Sequence, residues 1–210
     1  GCGGLDLGFE RAGFKIIWAN EYDKDIWATY RANHSGVFLD TRSITNIPLN
    51  EIPTCDGIIG GPPCQSWSEG GKMLGIVDDR GQRFCDYIRI VNAKKPLFFV
   101  LENVPGILQA AHVKILDTFK EMFKMIGYVL AIKQLNAADF RIPQDRERVF
   151  FVGVRQDLCR PFEFPSNTGC KQVCLKEAIG DIIELPHLYR DDDTVVYNSE
   201  RLNHDCYIGG

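Results

Sequence analysis

Cys64 stands in the segment Gly60-Gly61-Pro62-Pro63-Cys64-Gln65-Ser66-Trp67-Ser68-Glu69-Gly70-Gly71. Two prolines restrict the backbone directly before the thiol, and the apolar run Gly57–Ile59 ends just upstream. The cysteine is therefore expected on a rigid bend at a strand terminus. A lone cysteine is usually an inert buried thiol, and that reading serves for Cys2, Cys55, Cys85, Cys159, Cys170, Cys174 and Cys206. Cys64 differs: polar residues flank it, and a glycine-rich segment reaching about Gly81 follows. Loops of that length tend to be lids or binding loops, and a thiolate beside one could act as a nucleophile.

Three more groups of residues stand out. Glu102-Asn103-Val104 comes after Leu97–Leu101, where a partly desolvated carboxyl could donate a proton near neutrality. The commoner use of such a glutamate is a helix cap or an ion pair. Gln144-Asp145-Arg146-Glu147-Arg148 leads into the run Val149–Val154. Two apart on an extended chain, Arg146 and Arg148 point the same way and could address an anion and a carbonyl oxygen together. A solvated charged strand entry is the plainer alternative. Gly1-Cys2-Gly3-Gly4 opens a helix expected over Leu5–Ala12, where backbone N–H groups can approach a ligand closely. The run Phe14–Ala19 then delivers Glu21, suited to ribose hydroxyls, and Tyr22, suited to stacking on adenine. A simple glycine turn followed by a solvated carboxylate stays open at this point.

Positioning these groups requires strands that end along a common edge. Phe14–Ala19, Gly57–Ile59, Leu97–Leu101, Val129–Leu135 and Val149–Val154 read as strands. Helical spacing marks Lys24–Ala32, the set Phe84, Tyr87, Ile88 and Val91, and the set Ile115, Phe119, Met122 and Ile126, the last stopped by Gly127. Alternation of this kind predicts an α/β fold with a mostly parallel sheet and flanking helices, in which ligands sit at the carboxyl ends of the strands. After Pro165 the pattern decays to one amphipathic piece, Leu175–Ile183, and an acidic run, Asp191–Asp193.

Composition sets the limits. With 210 residues, 45% hydrophobic and 25% charged, the chain is neither disordered nor fibrous. It holds no apolar run near the roughly 20 residues of a membrane span. No paired Cys-x-x-Cys knuckle suggests zinc, and a reduced, cytoplasmic protein is expected. A net charge of −4 argues weakly against nucleic acid, although local patches count for more than the sum. Because the chain opens within a glycine motif rather than at a Met, it is expected to be part of a longer protein.

Taken together and in this order, the groups resemble the C5-cytosine DNA methyltransferase family, in wording closest to bacterial restriction–modification members. The matching blocks are the glycine-rich opening, Glu21-Tyr22, Pro62-Pro63-Cys64-Gln65, Glu102-Asn103-Val104 and Gln144-x-Arg146-x-Arg148. Asp40-Thr41, Asp79-Arg80-Gly81 and Leu135-Asn136-Ala137 fall where lesser motifs would. The resemblance runs from Gly1 to about Arg155.

It implies a Rossmann-like S-adenosylmethionine-dependent fold and methyl transfer to C5 of a flipped-out cytosine in double-stranded DNA, with S-adenosylhomocysteine as product and no metal. Cys64 would be the nucleophile at C6, Glu102 would face N3, Arg148 would hold O2 and Arg146 would support the site. Gly1, Cys2, Gly3, Gly4, Leu5, Glu21, Tyr22, Asp40, Thr41, Gly61 and Pro63 would bind the cofactor, Asp40 at the adenine amine. Gln65, Ser66, Ser68 and Arg80 would contact DNA. Residues 1–186 would form the catalytic domain without its first strand, and residues 187–210 would lead into a target-recognition region. A monomer paired with a restriction endonuclease acting on the same site is expected. Arg83 and Arg141 depart from the family pattern, where Leu and Gly are usual. A relative acting on transfer RNA, a silent binding scaffold and a nicotinamide-dependent oxidoreductase are the rival readings; the last gives Pro-Pro-Cys-Gln no task.

Overall fold

In a computed structural model, residues 1–62, 79–110, 113–166, 169, 171–182, 188–189 and 195–196 are described. Contacts divide the chain into two units: residues 1–134 with 148–164, and residues 135–147 with 165–210. No helix among the described residues is long and apolar enough to cross a membrane.

The first unit opens with helix α1 (Gly4–Arg11), strand β1 (Trp18–Asn20), helix α2 (Lys24–Asn33) and strand β2 (Phe38–Asp40). Strand β3 (Gly57–Gly60), helix α3 (Asp79–Lys94), strand β4 (Phe98–Asn103) and helix α4 (Val113–Met125) follow, then strands β5 (Tyr128–Asn136) and β6 (Glu147–Arg155). Asp23 caps α2 by accepting from the Asp25 amide at 3.0 Å. Gly127, at φ +91°, ends the turn after α4 as the sequence predicts. α3 begins at Asp79, so Arg80 and Gly81 belong to a helix rather than to the end of a long loop.

Two sheets result. β1 and β2 pair in parallel, and a four-stranded sheet has the order β3-β4-β6-β5. β3–β4 is parallel and β4–β6 antiparallel, so the sheet is mixed. The strand expected over Phe14–Ala19 forms a ladder only at Trp18–Asn20, because its partner β2 is three residues long. Residues 14–17 instead line a cavity that β3 lines from the other side.

Strict alternation organises β4. Phe99, Leu101 and Asn103 are buried, while Phe98, Val100 and Glu102 are half-buried on the opposite face. Phe99 and Leu101 join Phe84, Ile88 and Val91 of α3, Phe119 and Phe123 of α4, and Val149 and Phe151 of β6 in the main core. The Phe99 ring stacks on Phe123 at 4.4 Å between centroids. Tyr128 closes this layer, donating its hydroxyl to the Pro96 carbonyl at 2.7 Å, and burial pushes its phenol up to about 12.

Phe98 and Phe99 face opposite ways, and each lies over a glycine directly across the ladder, Gly57 and Gly153 respectively. A Cβ on Gly153 would fall 2.1 Å from the Phe99 ring. Glycine is weak in a strand interior but is used where a ring must lie on the backbone. Phe99 is fully buried and cannot move aside. Gly153→Ala should therefore cost ~1–3 kcal/mol or more by overpacking. At about 2–4 °C per kcal/mol for a chain of this size, a melting temperature lowered by several degrees is expected in calorimetry of the intact protein.

In the second unit, Asn136 caps the 3₁₀ turn Ala137–Phe140 by accepting from the Ala138 amide at 3.0 Å. The unit also contains α5 (Leu175–Ile179) and the antiparallel pair β7 (Leu188–Tyr189) and β8 (Val195–Val196).

Candidate active site

Glu102 is delivered by the alternation of β4. It lies opposite Phe150 in the β4–β6 ladder, so Arg148, two residues earlier on β6, is its diagonal neighbour on the same face. The Arg148 Nε lies 2.8 Å from Glu102 Oε1, with both side chains about a quarter exposed. The expectation of a desolvated glutamate is thus replaced by a charge-assisted pair at the carboxyl end of β4.

The neighbouring residue serves the other face. Asn103, buried in the core side of the strand, donates Nδ2–H to the Pro62 carbonyl at 3.3 Å and accepts from the Val104 amide at 2.9 Å. Gly61 lies against Glu102: a Cβ there would stand 3.2 Å from Glu102 Oε2. The backbone leading out of β3 is therefore tied to the strand that carries Glu102, the partner of Arg148. Pro63, Cys64, Gln65, Ser66 and Ser68 lie outside the described residues, as does the side chain of Arg80. Arg146 belongs to the second unit and precedes the expected strand register, since β6 begins at Glu147. Its amide donates to Asn136 Oδ1 at 3.3 Å and its carbonyl accepts from the Ala137 amide at 3.0 Å.

A cavity of about 960 Å³ adjoins this region. Gly1, Cys2, Gly3, Gly4, Leu5, Glu21, Tyr22, Gly60, Gly61 and Pro62 line it. Its size is at the upper end for small-molecule pockets, because it continues into the gap between β1 and β3. Open space surrounds the positions where a Cβ would sit at Gly1 and Gly4, so the glycine turn presents bare backbone. Tyr22 is 65% exposed, with its ring available for stacking.

Several residues that the sequence did not single out hold Glu21 in place. Trp27 donates its indole N–H to the Glu21 carbonyl at 2.8 Å, and the Asp23 amide donates to Glu21 Oε1 at 2.8 Å. Asn20 donates to the carbonyls of Asp40 at 2.9 Å and Arg42 at 2.8 Å, which knits the ends of β1 and β2 together. A polar residue ending an apolar run was the available signal at Asn20; for Trp27 there was none.

Asp40 and Thr41 are absent from the cavity lining. Asp40 is buried, and both carboxylate oxygens accept from the Arg42 guanidinium, at 2.7 and 3.0 Å. Arg42 in turn reaches Glu51 at 2.7 Å. The hydrogen bonds from Arg42 hold the Asp40 carboxyl below the usual carboxylate range, against the opposing effect of burial. Stability from this ionised Asp40 is present above the ordinary carboxylate pKa and is lost as pH falls through the depressed value. Asp40→Asn should therefore flatten the acid limb of the melting temperature–pH curve of the intact protein below about pH 4.

Among the described residues, no group of His, Cys, Asp and Glu is placed to hold a metal ion. The described cysteines are free thiols; burial pushes the Cys55 and Cys85 thiols up, whereas Cys159 and Cys174 are exposed, against the expectation of buried ones.

Over residues 1–207 the chain matches the family model described as C-5 cytosine-specific DNA methylase. It is 49% identical over 210 residues to the type II methyltransferase M.FnuDI of Fusobacterium nucleatum, covering 96% of this chain and 61% of that protein. Against M.MthTI of Methanothermobacter thermautotrophicus it is 45% identical over 209 residues, covering 100% of this chain and 63% of the relative. M.NgoPII of Neisseria gonorrhoeae is 49% identical over 186 residues, or 87% of this chain and 54% of that protein. The chain thus spans 54–63% of the length of these relatives. Among solved structures, one described as a prophage-encoded DNA modification methyltransferase (E. coli) superposes with a TM-score of 0.75 at 30% identity, covering 90% of this chain and 55% of that one. Spodoptera frugiperda DNMT2 shares the fold at a TM-score of 0.66 and 22% identity, over 81% of this chain and 55% of that one. The fold is that of the S-adenosylmethionine-dependent methyltransferases, and the chain belongs to the C-5 cytosine-specific DNA methylase family.

Proposed function

We propose that the intact protein is a DNA (cytosine-5)-methyltransferase, the modification enzyme of a restriction–modification system. The observation that carries this reading is the Glu102–Arg148 pair at 2.8 Å beside the backbone that leads to Cys64. A second support is the glycine-lined cavity with Glu21 and exposed Tyr22 at its rim.

The chemistry follows from the electronics of cytosine, whose C5 is a poor nucleophile until a thiolate adds at C6. Cys64 would form that bond, and the charge left on the ring would be met at N3 by a proton held by Glu102. Arg148 would donate to O2. An incoming cytosine would compete for both members of the ion pair, its O2 for Arg148 and its N3 for Glu102. S-adenosylmethionine, when bound, supplies the electrophilic methyl group. Loss of the C5 proton to a base or water then breaks the C6–S bond and returns Cys64. A paired base inside a duplex is out of reach, so the cytosine must be flipped out, and the segment from Gln65 to the start of α3 would close over it, with Gln65, Ser66, Ser68 and Arg80 toward DNA.

For the cofactor, Glu21 would take the ribose hydroxyls, Tyr22 one face of adenine, and Gly1, Cys2, Gly3, Gly4, Leu5, Gly61 and Pro63 the methionine portion. Asp40 and Thr41 would close the adenine end. Residues 1–186 would make up the catalytic domain, and residues 187–210 would lead into the region that reads the DNA sequence. A monomer working beside an endonuclease of the same specificity, in the cytoplasm and without a metal, completes the reading.

With S-adenosylmethionine and duplex DNA carrying 5-fluorocytosine at its site, the intact enzyme should form a denaturation-resistant adduct, because fluorine cannot leave as a proton. Cys64→Ser should form none while still binding S-adenosylhomocysteine; an adduct from that variant would remove Cys64 from its role. Transfer of labelled methyl to duplex DNA but not to transfer RNA is expected of the same protein. Removing the Glu21 carboxylate deletes charge-assisted hydrogen bonds of ~1.5–3 kcal/mol, about ten- to a hundredfold in affinity. Glu21→Ala should therefore weaken S-adenosylmethionine binding by that factor and leave DNA binding nearly unchanged; equal losses in both would count against the ribose contact.

A further inference from the structure

His34 is buried at the carboxyl end of α2, 4% exposed, and no step of the proposed chemistry uses it. Its ring packs on Tyr30 with centroids 4.7 Å apart, and the Tyr30 hydroxyl donates to Asp6 of α1 at 2.7 Å. His34 Nε2 lies 3.1 Å from the Gly3 carbonyl, while Nδ1 is 3.2 Å from Glu10 Oε2 but outside hydrogen-bond geometry. The Nε2 proton therefore goes to Gly3.

Gly3 is the N-cap of α1 at φ +86°, and its carbonyl also accepts the first helical bond, from the Leu7 amide at 2.8 Å. A Cβ at Gly3 would fall 2.1 Å from His34 Nε2, so the imidazole fills the space a side chain would take. Gly3 and its neighbours Gly1, Cys2, Gly4 and Leu5 line the cavity. A glycine turn is intrinsically free, and without a brace its N–H groups would sample many orientations.

We propose that His34 is a positioning residue for cofactor binding: by donating to the Gly3 carbonyl and filling the space over its Cα, it holds the glycine turn in the orientation that receives the methionine portion of S-adenosylmethionine. The inference rests on the cofactor reading given above. Neither the resemblance nor the spacing of motifs pointed to this residue, since an isolated histidine after a helix carries no signature. The brace acts on ligand affinity rather than on the methyl-transfer step, because what it holds is the glycine turn that lines the cavity.

Two substitutions separate this from a purely structural role. His34→Leu fills the space without a donor, whereas His34→Gln restores an N–H near the Nε2 position. Binding of S-adenosylhomocysteine to the intact protein, measured by calorimetry, should weaken about tenfold in His34→Leu, the factor expected for one buried hydrogen bond. His34→Gln should recover most of the loss. Steady-state kinetics should show the KM for S-adenosylmethionine raised in His34→Leu, with kcat at saturating cofactor close to the parent value. Unchanged affinity in a folded His34→Leu, or equal loss in both variants, would overturn the positioning role. If His34→Leu does not fold, the glutamine variant decides alone: affinity near the parent value supports the brace, and a tenfold loss overturns it. Failure of the unsubstituted protein to bind S-adenosylhomocysteine would instead overturn the cofactor reading, so the two failures are distinguishable.

Discussion

β4 is bonded on both edges, to β3 on one side and β6 on the other, and that constraint underlies most of what the structure does. A strand paired on both edges cannot slip without breaking two ladders, and a slip by one residue would exchange its faces. The register that buries Phe99 and Leu101 against α3 and α4 is the same register that turns Glu102 away from the core and Asn103 into it. Hydrophobic burial thus does the aiming. The face that carries Glu102 needs no separate device to hold it, because moving it would require withdrawing two large side chains from the core.

From that strand the remaining parts of the site are reached by single contacts. Arg148 arrives through the diagonal relation of an antiparallel ladder, a relation a parallel neighbour would not supply in the same way. Asn103 holds the Pro62 carbonyl, and Gly61 leaves no atom to press on the Glu102 carboxylate. The glycine turn is handled differently: it is held from outside, by His34 and by the Tyr30–Asp6 bond.

The mixed sheet also accounts for where residue-level expectations were sharp and where they were loose. Buried strands such as β4 and β6 announce themselves as apolar runs, and their limits shift by only a few residues between expectation and structure. Phe14–Ala19 carries the same apolar signal, yet only its last two residues, with Asn20, make a ladder, since pairing depends on what lies alongside. Glu102 illustrates a different limit. Its position after an apolar run suggested desolvation, and the structure supplies a cation 2.8 Å away from a strand 46 residues further along the chain. Nothing local to Glu102 could have revealed that partner.

What the sequence determined alone was the inventory and its order: a glycine turn, an acidic–aromatic pair, Pro-Pro-Cys-Gln, Glu-Asn-Val and an arginine pair, and with them the fold class and the family. These are properties of residue type and spacing, which a linear chain displays in full. Tertiary structure decided which of those residues meet: Arg148 with Glu102, Asn103 with Pro62, Asp40 with Arg42 rather than with the cavity, and His34 over Gly3. Such pairings depend on strand register and helix packing, in which residues far apart in the chain come within three ångströms or so. The free energy that selects them is summed over the whole core, and no single segment carries it.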